Sequence, residues 1–415
     1  MSLLDSLVDL RPLRENRTFR RLWLGTTASG LGGQLGGFAV VYYTWEHTHS
    51  AAMVGLVGLV RAVPLIVLAL AGSAFADHVD RRLLALACAY GQLVISAGMA
   101  GVAATDVGGV PLMLVLTGVA SGLAALGGPA KRTFIPALLS GERLAAGLAL
   151  THLSFQIAML LGPATAGLIT AQWGTTWCFV IDALTFGCAL IGIAGLPRGV
   201  QGAAGRPGAG AIRDGLRFSV RTPEVRGAFL ADLAATLLAM PVALFPMINE
   251  ERFGGRPEIL GLFTTAVAAG GVLASVLSGL ATRRRHPGTV LLACGATWAV
   301  ALGLAGLSGH LLVVLALLAV AGGADTWAVV SRGTVVQSST PAAYRGRVAS
   351  LEHIVGSAGP ELGNLRAGLV ATVTSGGASL AIGGLLGVAA TSLLAATTPA
   401  LRRFTVDEPV TDKTH

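Results

Sequence analysis

The sequence predicts an all-α membrane protein, and three observations lead to that fold class. Of the 415 residues 53% are hydrophobic and only 12% are charged, and the mean hydropathy is +0.72. Soluble domains carry about 25% charged residues, so lipid must be the solvent for most of this chain. Apolar segments such as 288–307 are unbroken over helix length, whereas a β-barrel would need segments of about ten residues that alternate with polar positions. The 57 glycines allow close helix packing in a membrane.

A window of about 20 residues predicts twelve membrane spans, six on each side of a polar break. The expected spans are 20–44, 52–76, 83–104, 110–130, 144–170, 175–196, 226–248, 258–281, 288–307, 310–331, 349–373 and 377–399. The break contains a Gly/Ala/Pro-rich linker and then AIRDGLRFSVR, which predicts a short amphipathic helix at the membrane surface. We therefore expect a six-helix bundle at 1–196, a cytoplasmic linker at 197–223 and a second six-helix bundle at 224–415.

The positive charges predict the orientation of the chain. Of the 29 Lys and Arg residues, only Arg61, Arg252, Arg256 and Arg366 lie outside the terminal segments and the loops or span ends that follow even-numbered spans. By the positive-inside rule, both termini and the linker are expected in the cytoplasm, and the protein in the cytoplasmic (inner) membrane. The net charge of +8 is thus explained by topology. Anionic lipid is the expected charged partner, and no nucleic acid is expected.

The loop after span 2 and the repetition of the halves point to one family. Ala-Asp-His-Val-Asp-Arg-Arg after span 2 is matched by Leu-Ala-Thr-Arg-Arg-Arg after span 8. Parallel repeats with a binding site between them describe one transporter architecture. The first loop resembles the signature of the major facilitator superfamily, although His78 and Asp80 depart from its usual pattern. The resemblance implies the twelve-helix fold, with Asp77 in the acidic position and Arg81 and Arg82 as the basic pair.

We expect Asp77, Arg81 and Arg82 to form a conformational latch. An acid at a cytoplasmic helix end can pair with Arg81 or with the positive N-terminus of span 11. Such a pair would form when the cytoplasmic side closes and break when it opens. The alternative is that the two arginines only anchor topology and Asp77 merely ends a helix.

Span 5 contains a second motif, Leu-Gly-Pro-Ala-Thr-Ala-Gly at 161–167. It resembles the pattern of the superfamily's antiporters, in which Gly162, Pro163 and Gly167 would form a kink. Proline removes a backbone hydrogen bond and bends the helix, and glycine permits tight packing. The resemblance implies export rather than uptake. The alternative is a kink of the kind found in any membrane helix.

Further segments resemble the family of enterobactin exporters. They are DALTF at 182–186, GLRF at 215–218, ALFP at 243–246, TPAAYRGR at 340–347 and GPELG at 359–363. The resemblance implies a secondary active exporter that moves a siderophore such as enterobactin by proton antiport and alternating access. Multidrug and macrolide exporters, which carry amphipathic drugs, share most of these features. A membrane sensor that transports nothing is a further alternative, and a monomer is expected.

Charged residues inside the spans are candidates for proton coupling. A lone charge at the bilayer centre costs roughly 2.5–3.5 kcal/mol or more, so each should face a cavity or pair. We expect Asp232 to be the coupling acid, with Arg61 either meeting an anionic substrate or pairing with Asp232. Asp325 is a further candidate but lies on the same helix face as Arg332, which could pair with it. Asp182 is the last candidate, with an N-terminal cap of span 6 as its alternative role.

Several function classes are not expected. The sequence has no G-x-x-x-x-G-K-[ST] loop, so an ion gradient rather than ATP should drive transport. No nucleophile, base and orienting group form a recognisable pattern, which argues against an enzyme. The cysteines, Cys88, Cys178, Cys188 and Cys294, lie in apolar segments without metal-binding spacing. No cofactor or metal is therefore expected.

Overall fold

The chain folds into long helices that pack side by side. The computed structural model describes residues 9–76, 80–197, 209–277 and 285–405. Asp77 lies outside these ranges, so the latch stays a prediction. The long helices are α1 (Arg17–Thr48), α2 (Ala51–Ala76), α3 (Arg81–Thr105), α4 (Gly109–Arg132), α5 (Glu142–Trp173), α6 (Thr175–Ala194), α7 (Pro223–Ala239), α8 (Pro257–Val276), α9 (Pro287–Leu307), α10 (Leu311–Ser338), α11 (Arg345–Ala371) and α12 (Gly376–Thr397).

The helix positions agree with the predicted spans, and the all-helical membrane class is confirmed. Among the described residues, ten helices are long and apolar enough to cross a membrane. Helices α1 and α11 are long as well, but arginines and acids lower their hydropathy. Twelve crossings and a division into two six-helix bundles therefore stay predictions.

Span 7 differs from its prediction because it is broken. Helix α7 ends at Ala239, and a 3₁₀ turn at Val242–Leu244 leads into the helix Phe245–Phe253. Pro241 follows the last turn of α7 and cannot donate a backbone hydrogen bond. The apolar pattern runs through the break, which is why hydropathy alone does not reveal it.

Two polar side chains of α11 stabilise this break. Arg366 donates from Nε to the carbonyl oxygen of Leu237 at 3.1 Å and from Nη2 to that of Leu238 at 2.6 Å. Asn364 accepts a hydrogen bond from the backbone amide of Ala243 at 3.1 Å. Carbonyl groups at a helix C-terminus have no partner in their own helix and carry partial negative charge. The half-buried Arg366 is therefore well suited to end α7.

Helices from before and after the linker meet closely at one end of the bundle. A methyl group on Gly55 of α2 would lie 2.7 Å from the carbonyl oxygen of Asn364 in α11. A methyl group on Gly167 of α5 would lie 2.5 Å from the carbonyl oxygen of Pro257 in α8, and Gly261 approaches Pro163 in the same way. Backbones approach this closely only where there is no Cβ. We call this region, formed by the α2–α11 and α5–α8 contacts, the glycine-packed end.

Polar contacts join the chain at the same end. Glu250, in the helix Phe245–Phe253, accepts a hydrogen bond from Nε1 of Trp45 at 2.6 Å. The same carboxylate oxygen lies 3.2 Å from Nδ1 of His49. Trp45 and His49 belong to the C-terminal end of α1. These contacts add a second tie between the two parts of the chain.

The opposite end carries the amphipathic linker helix, as predicted. This helix, Ala209–Arg221, packs against the start of α11: the rings of Phe218 and Tyr344 are 4.9 Å apart. Arg347 lies 3.7 Å from Asp214 and over the ring of Tyr344. We call this the linker end. By the positive-inside count we expect it to be the cytoplasmic end.

The orientation can be tested with C-terminal reporters. Because the basic loops lie at the linker end, a C-terminal green fluorescent protein should fluoresce and a C-terminal alkaline phosphatase should stay inactive. The reverse pair of results would show that the linker end faces away from the cytoplasm.

The glycine contact between α5 and α8 can be tested by substitution. Gly167→Leu should separate these helices at the glycine-packed end, because the new side chain would overlap the backbone of Pro257 and Glu258. Spin labels at Gln172 and Arg256, in a cysteine-free background, should then move apart by several ångströms. Gly101→Leu is the matched control, since a Cβ there meets nothing within 4 Å. An unchanged distance between the spin labels in Gly167→Leu would show that this glycine contact does not hold α5 and α8 together.

Candidate functional site

A buried ion-pair network joins three helices after the linker. Arg332 of α10 pairs through Nη1 with Oδ1 of Asp232 in α7. Its Nε donates to Oε1 of Glu352 in α11 at 3.3 Å. The Arg332 side chain is only 9% exposed, and those of Asp232 and Glu352 are 12% and 19% exposed. One guanidinium thus serves two carboxylates, and we call this set the Arg332 network.

Local structure makes room for the network. Gly356 lies one turn after Glu352 on α11, where a methyl group would come 3.4 Å from Nη2 of Arg332. Asp325 lies two turns before Arg332 on α10 and is close enough for its charge to interact with both Arg332 and Asp232. Asp325 is exposed, whereas Arg332 is buried. Four ionisable groups therefore act on one another within three neighbouring helices.

The network can exchange a proton for an ion pair. Oδ2 of Asp232 is buried and has no hydrogen-bond partner in the described part of the chain. Arg332 compensates the negative charges of Asp232 and Glu352. A proton bound to Asp232 would remove one of these two charges and weaken the pairing of Asp232 with Arg332. Arg332 could then turn further towards Glu352 or Asp325. Such competition between a proton and a cation is what a coupling site needs.

Arg61 belongs to a different cluster. Its Nη2 donates to the carbonyl oxygen of Gly37 in α1 at 3.4 Å, and its charge interacts with that of Glu361 on α11. Glu361 rests on Gly58 of α2, and Asn364 lies 3.5 Å from its Oε2. The structure therefore does not pair Arg61 with Asp232, because Asp232 is held by Arg332. We call Arg61, Glu361 and Asn364 the Arg61 cluster.

Asp182 is buried away from both clusters. It accepts a hydrogen bond from Ser96 of α3 at 2.6 Å, and it lies against Gly32 and Gly36 of α1. Its Oδ1 has no partner among the described residues. The alternative role as an N-terminal cap is wrong, because α6 begins at Thr175 and Asp182 lies two turns inside it. Asp182 fills the contact between α1, α3 and α6.

The antiporter-like motif lies where α5 meets its neighbours. Gly162 packs on the side chain of Gln34 in α1. Pro163 lies inside α5, and its carbonyl group meets Gly261 of α8. Gly167 contacts the first turn of α8. The three residues thus shape the surface on which α5 packs against α1 and α8.

The described part of the latch loop has a local structural role. Asp80 caps α3 by accepting hydrogen bonds from the backbone amides of Arg82, at 2.7 Å, and Leu83, at 3.3 Å. Arg82 donates from Nη2 to the carbonyl oxygen of Ala194 at the end of α6, at 2.5 Å. This loop therefore ties α3 to α6, and Arg81 lies at the first position of α3.

Sequence reasoning missed three residues of these clusters. The spacing along α10 points to Arg332 only as a partner for Asp325, and no motif marks Glu352 or Asn364. The sequence could have pointed to Glu352, because an acid within a predicted membrane span (349–373) requires a partner. Arg366 lies five residues after Glu361 on α11, but it binds carbonyl groups of α7 rather than that acid.

The Arg332 network should dominate the stability of its three helices. Arg332→Gln would leave two buried carboxylates without their counter-charge and lower the free energy of unfolding by about 3–5 kcal/mol. Asp232→Asn combined with Arg332→Gln should recover part of that loss. Thermal unfolding in detergent would measure both, with the exposed Arg402→Gln as control. A loss in the double variant equal to the sum of the losses in Arg332→Gln and in Asp232→Asn alone would mean that the two residues are not coupled.

Solved structures share this fold. A nucleoside transporter, NupG, superposes with a TM-score of 0.74 over 94% of this chain and 100% of its own, at 13% identity. A bacterial homologue of the iron transporter ferroportin, in an inward-facing state, gives a TM-score of 0.72 over 97% and 100% of the two chains, at 15% identity. At such low identity the likeness establishes the fold alone.

Sequence comparisons give the family. The family model described as transmembrane secretion effector matches residues 8–411. The multidrug efflux pump Tap of Mycolicibacterium fortuitum is 27% identical over 81% of this chain and 85% of its own length. The enterobactin exporter EntS of Shigella boydii is 27% identical over 92% of this chain and 93% of its own length. The chain thus belongs to the transmembrane secretion effectors of the major facilitator superfamily; its curated relatives are efflux transporters, and its fold is that of transporters rather than enzymes.

Proposed function

We propose that the protein exports an amphipathic small molecule across the cytoplasmic membrane by proton antiport. The observation that carries this proposal is the Arg332 network, in which Arg332 is shared between Asp232 and Glu352. Buried ionisable groups within membrane helices are costly, and they recur where protons or ions move. Asp232 is the proton carrier, Arg332 is the competing cation, and Glu352 and Asp325 are alternative partners for Arg332.

The network couples protonation to helix packing. With Asp232 ionised, Arg332 holds α7 against α10 and α11. Protonation of Asp232 releases Arg332 towards Glu352, so the contact of α7 with its neighbours loosens. Cargo binding and protonation then favour different arrangements of the same helices, which is the thermodynamic requirement for coupling. No other energy source enters the cycle.

Alternating access follows from the contacts at the two ends. We propose two six-helix bundles, 1–196 and 224–415, which rock about the interface between them. The glycine-packed end is the extracytoplasmic gate, supported by the close contacts of Gly55 and Gly167 and by the Trp45–Glu250 hydrogen bond. Asp77, Arg81 and Arg82 form the latch at the opposite, cytoplasmic end. Gly162, Pro163 and Gly167 set how closely α5 approaches α8.

The charges of the two clusters favour a cationic cargo. The Arg332 network with Asp325, together with the Arg61 cluster, contains four carboxylates and two guanidiniums (Asp232, Asp325, Glu352 and Glu361 against Arg61 and Arg332). An excess of acids attracts cations and disfavours anions at short range. A cationic amphipathic drug is therefore the first candidate, and the similarity to the multidrug efflux pump Tap supports a drug as cargo.

A siderophore is the second candidate cargo. It is favoured by the enterobactin exporter, which aligns with nearly the whole chain. Arg61 would then meet anionic groups of the cargo, because Glu361 neutralises it only in part. The two candidates differ in the sign of charge that the site must accept.

Transport in proteoliposomes with an imposed pH gradient should distinguish the cargoes. A lipophilic cationic dye, a macrolide and a catecholate siderophore would be compared at equal concentration. We expect gradient-driven movement of the dye, reduced at least tenfold in Asp232→Asn because the proton carrier is lost. Movement of the siderophore alone would assign the second candidate.

The matched control for this assay is Asp182→Asn. Asp182 is also an acid inside a membrane helix and is more buried than Asp232, but it contacts neither cluster, so its variant should retain gradient-driven transport. Transport that survives in Asp232→Asn but fails in Asp182→Asn would transfer the coupling role to the contact between α1, α3 and α6. No movement of any cargo by the folded wild-type protein would favour a membrane sensor.

A further inference from the structure

A groove on the outer surface of the bundle is lined by residues that belong to neither charged cluster. Helices α8 and α9 pack against α10 and leave between them a cavity of about 1270 Å³. Its floor is formed by small residues, including Gly270 and Ala274 of α8 and Gly323 of α10. Trp327 forms part of its wall and donates from Nε1 to the carbonyl oxygen of Ala274 at 2.8 Å. The groove is therefore held open by backbone packing rather than by loose side chains.

The long axis of the groove follows α9. Lining residues of α9 extend from Thr289 to Thr297, and His286 at the mouth precedes the helix. From His286 to Thr297 the helix rises about 16 Å at about 1.5 Å per residue. The hydrocarbon core of a bilayer is about 30 Å thick, so one leaflet contributes about 15 Å. The groove thus has the length of one acyl chain of a single leaflet.

The sides of the groove face the bilayer. Leu273, Leu277 and Val320 line it, and they are 64%, 50% and 52% exposed. In a membrane-spanning bundle, apolar side chains with this exposure contact lipid tails. The groove is consequently open to the leaflet along its length and not only at its mouth.

The mouth of the groove is positively charged. Arg285 and His286 line it at the linker end, and both are exposed. Arg285 forms no ion pair with any described residue, and no carboxylate is found among the lining residues that the structure describes. His286 is the N-cap of α9, a helix of 21 residues, so the positive end of that helix adds to the same field.

The C-terminal segment adds basic residues beside this mouth. Thr289 donates from Oγ1 to the carbonyl oxygen of Arg402 at 2.8 Å. Arg402 and Arg403 are exposed and lie at the same end of α9. The apolar groove therefore extends along α9 over the thickness of one leaflet. Its mouth carries a cluster of cations at the depth where we expect the lipid headgroups.

We propose that this groove is a binding site for an anionic glycerophospholipid from the leaflet at the linker end. One acyl chain lies along α9 between Thr289 and Thr297, on the floor formed by Gly270, Ala274 and Gly323. The phosphate lies at the N-terminus of α9 and binds Arg285, with His286 as a second donor. A bound lipid would fill the groove between α8 and α9, on the outer face of α10, the helix that carries Arg332.

Trp327 provides a reporter for the chain in the groove. In a variant with the other five tryptophans replaced by phenylalanine, bromine atoms on a lipid chain would quench its fluorescence. Quenching would be titrated in nanodiscs that contain dibrominated phosphatidylglycerol, and separately in nanodiscs that contain dibrominated phosphatidylcholine. We expect half-maximal quenching at a mole fraction of phosphatidylglycerol at least threefold lower than that of phosphatidylcholine.

Two substitutions test the two parts of the site. Arg285→Gln should remove the preference for phosphatidylglycerol, whereas Arg256→Gln, at the glycine-packed end, should keep it. Ala293→Phe should fill the groove and reduce quenching by either lipid, while Val300→Phe, on the same helix but outside the lining, should not. Unchanged thermal unfolding of each variant shows that the fold is retained.

Three results would overturn the proposal. Equal quenching by the two lipids in the wild-type background would mean that the groove does not select anionic headgroups. An unchanged preference in Arg285→Gln would exclude the proposed headgroup contact. Relief of quenching by a lipophilic cationic dye, without preference for phosphatidylglycerol, would assign the groove to cargo entering from the leaflet.

Discussion

Direct contact between helix backbones is the interaction on which the rest of the structure depends. In a bilayer, lipid tails solvate apolar side chains as well as a neighbouring helix does, so apolar surface alone does not drive helices together. Gly55, Gly58 and Gly368 let α2 and α11 approach until the backbone of one contacts the other, and Gly167 and Gly261 do the same for α5 and α8. These four helices bring the segments before and after the linker together, and both charged clusters include a residue of α11.

The same contacts explain why charged residues are tolerated inside the bundle. Arg366 binds the carbonyl groups left unpaired where α7 breaks, and Asn364 binds the amide of Ala243 just beyond the break. Arg332 is shared by Asp232 and Glu352. Each charge is placed where the backbone or another side chain neutralises it, which is the condition for keeping ionisable groups away from water. In the proposed mechanism this neutralisation is reversible in the Arg332 network, because a proton on Asp232 would replace the arginine.

The proposed lipid site and the proposed transport site share α10. One face of this helix carries Arg332, and another face carries Gly323 and Trp327 at the groove. Gly270 of α8 lies against the backbone of Ala319 in α10, and Gly322 of α10 lies against the backbone of Val267 in α8. A lipid that fills the groove would therefore support the helix that holds the ion pair, without touching the cargo. Lipid composition and proton coupling can be varied separately to examine this relation.

The sequence by itself determined the membrane class, the helix positions and the surface helix of the linker, because hydropathy and periodicity are local properties. It also singled out Asp232, since a carboxylate within an apolar span is costly wherever its partner lies. Only the tertiary structure decided the partners. Asp232 pairs with Arg332 rather than Arg61, Asp182 packs between helices rather than capping one, and α7 breaks at Pro241 within a continuous apolar pattern. The physical reason is that these contacts join residues far apart in the chain, and helix packing alone sets which side chains meet.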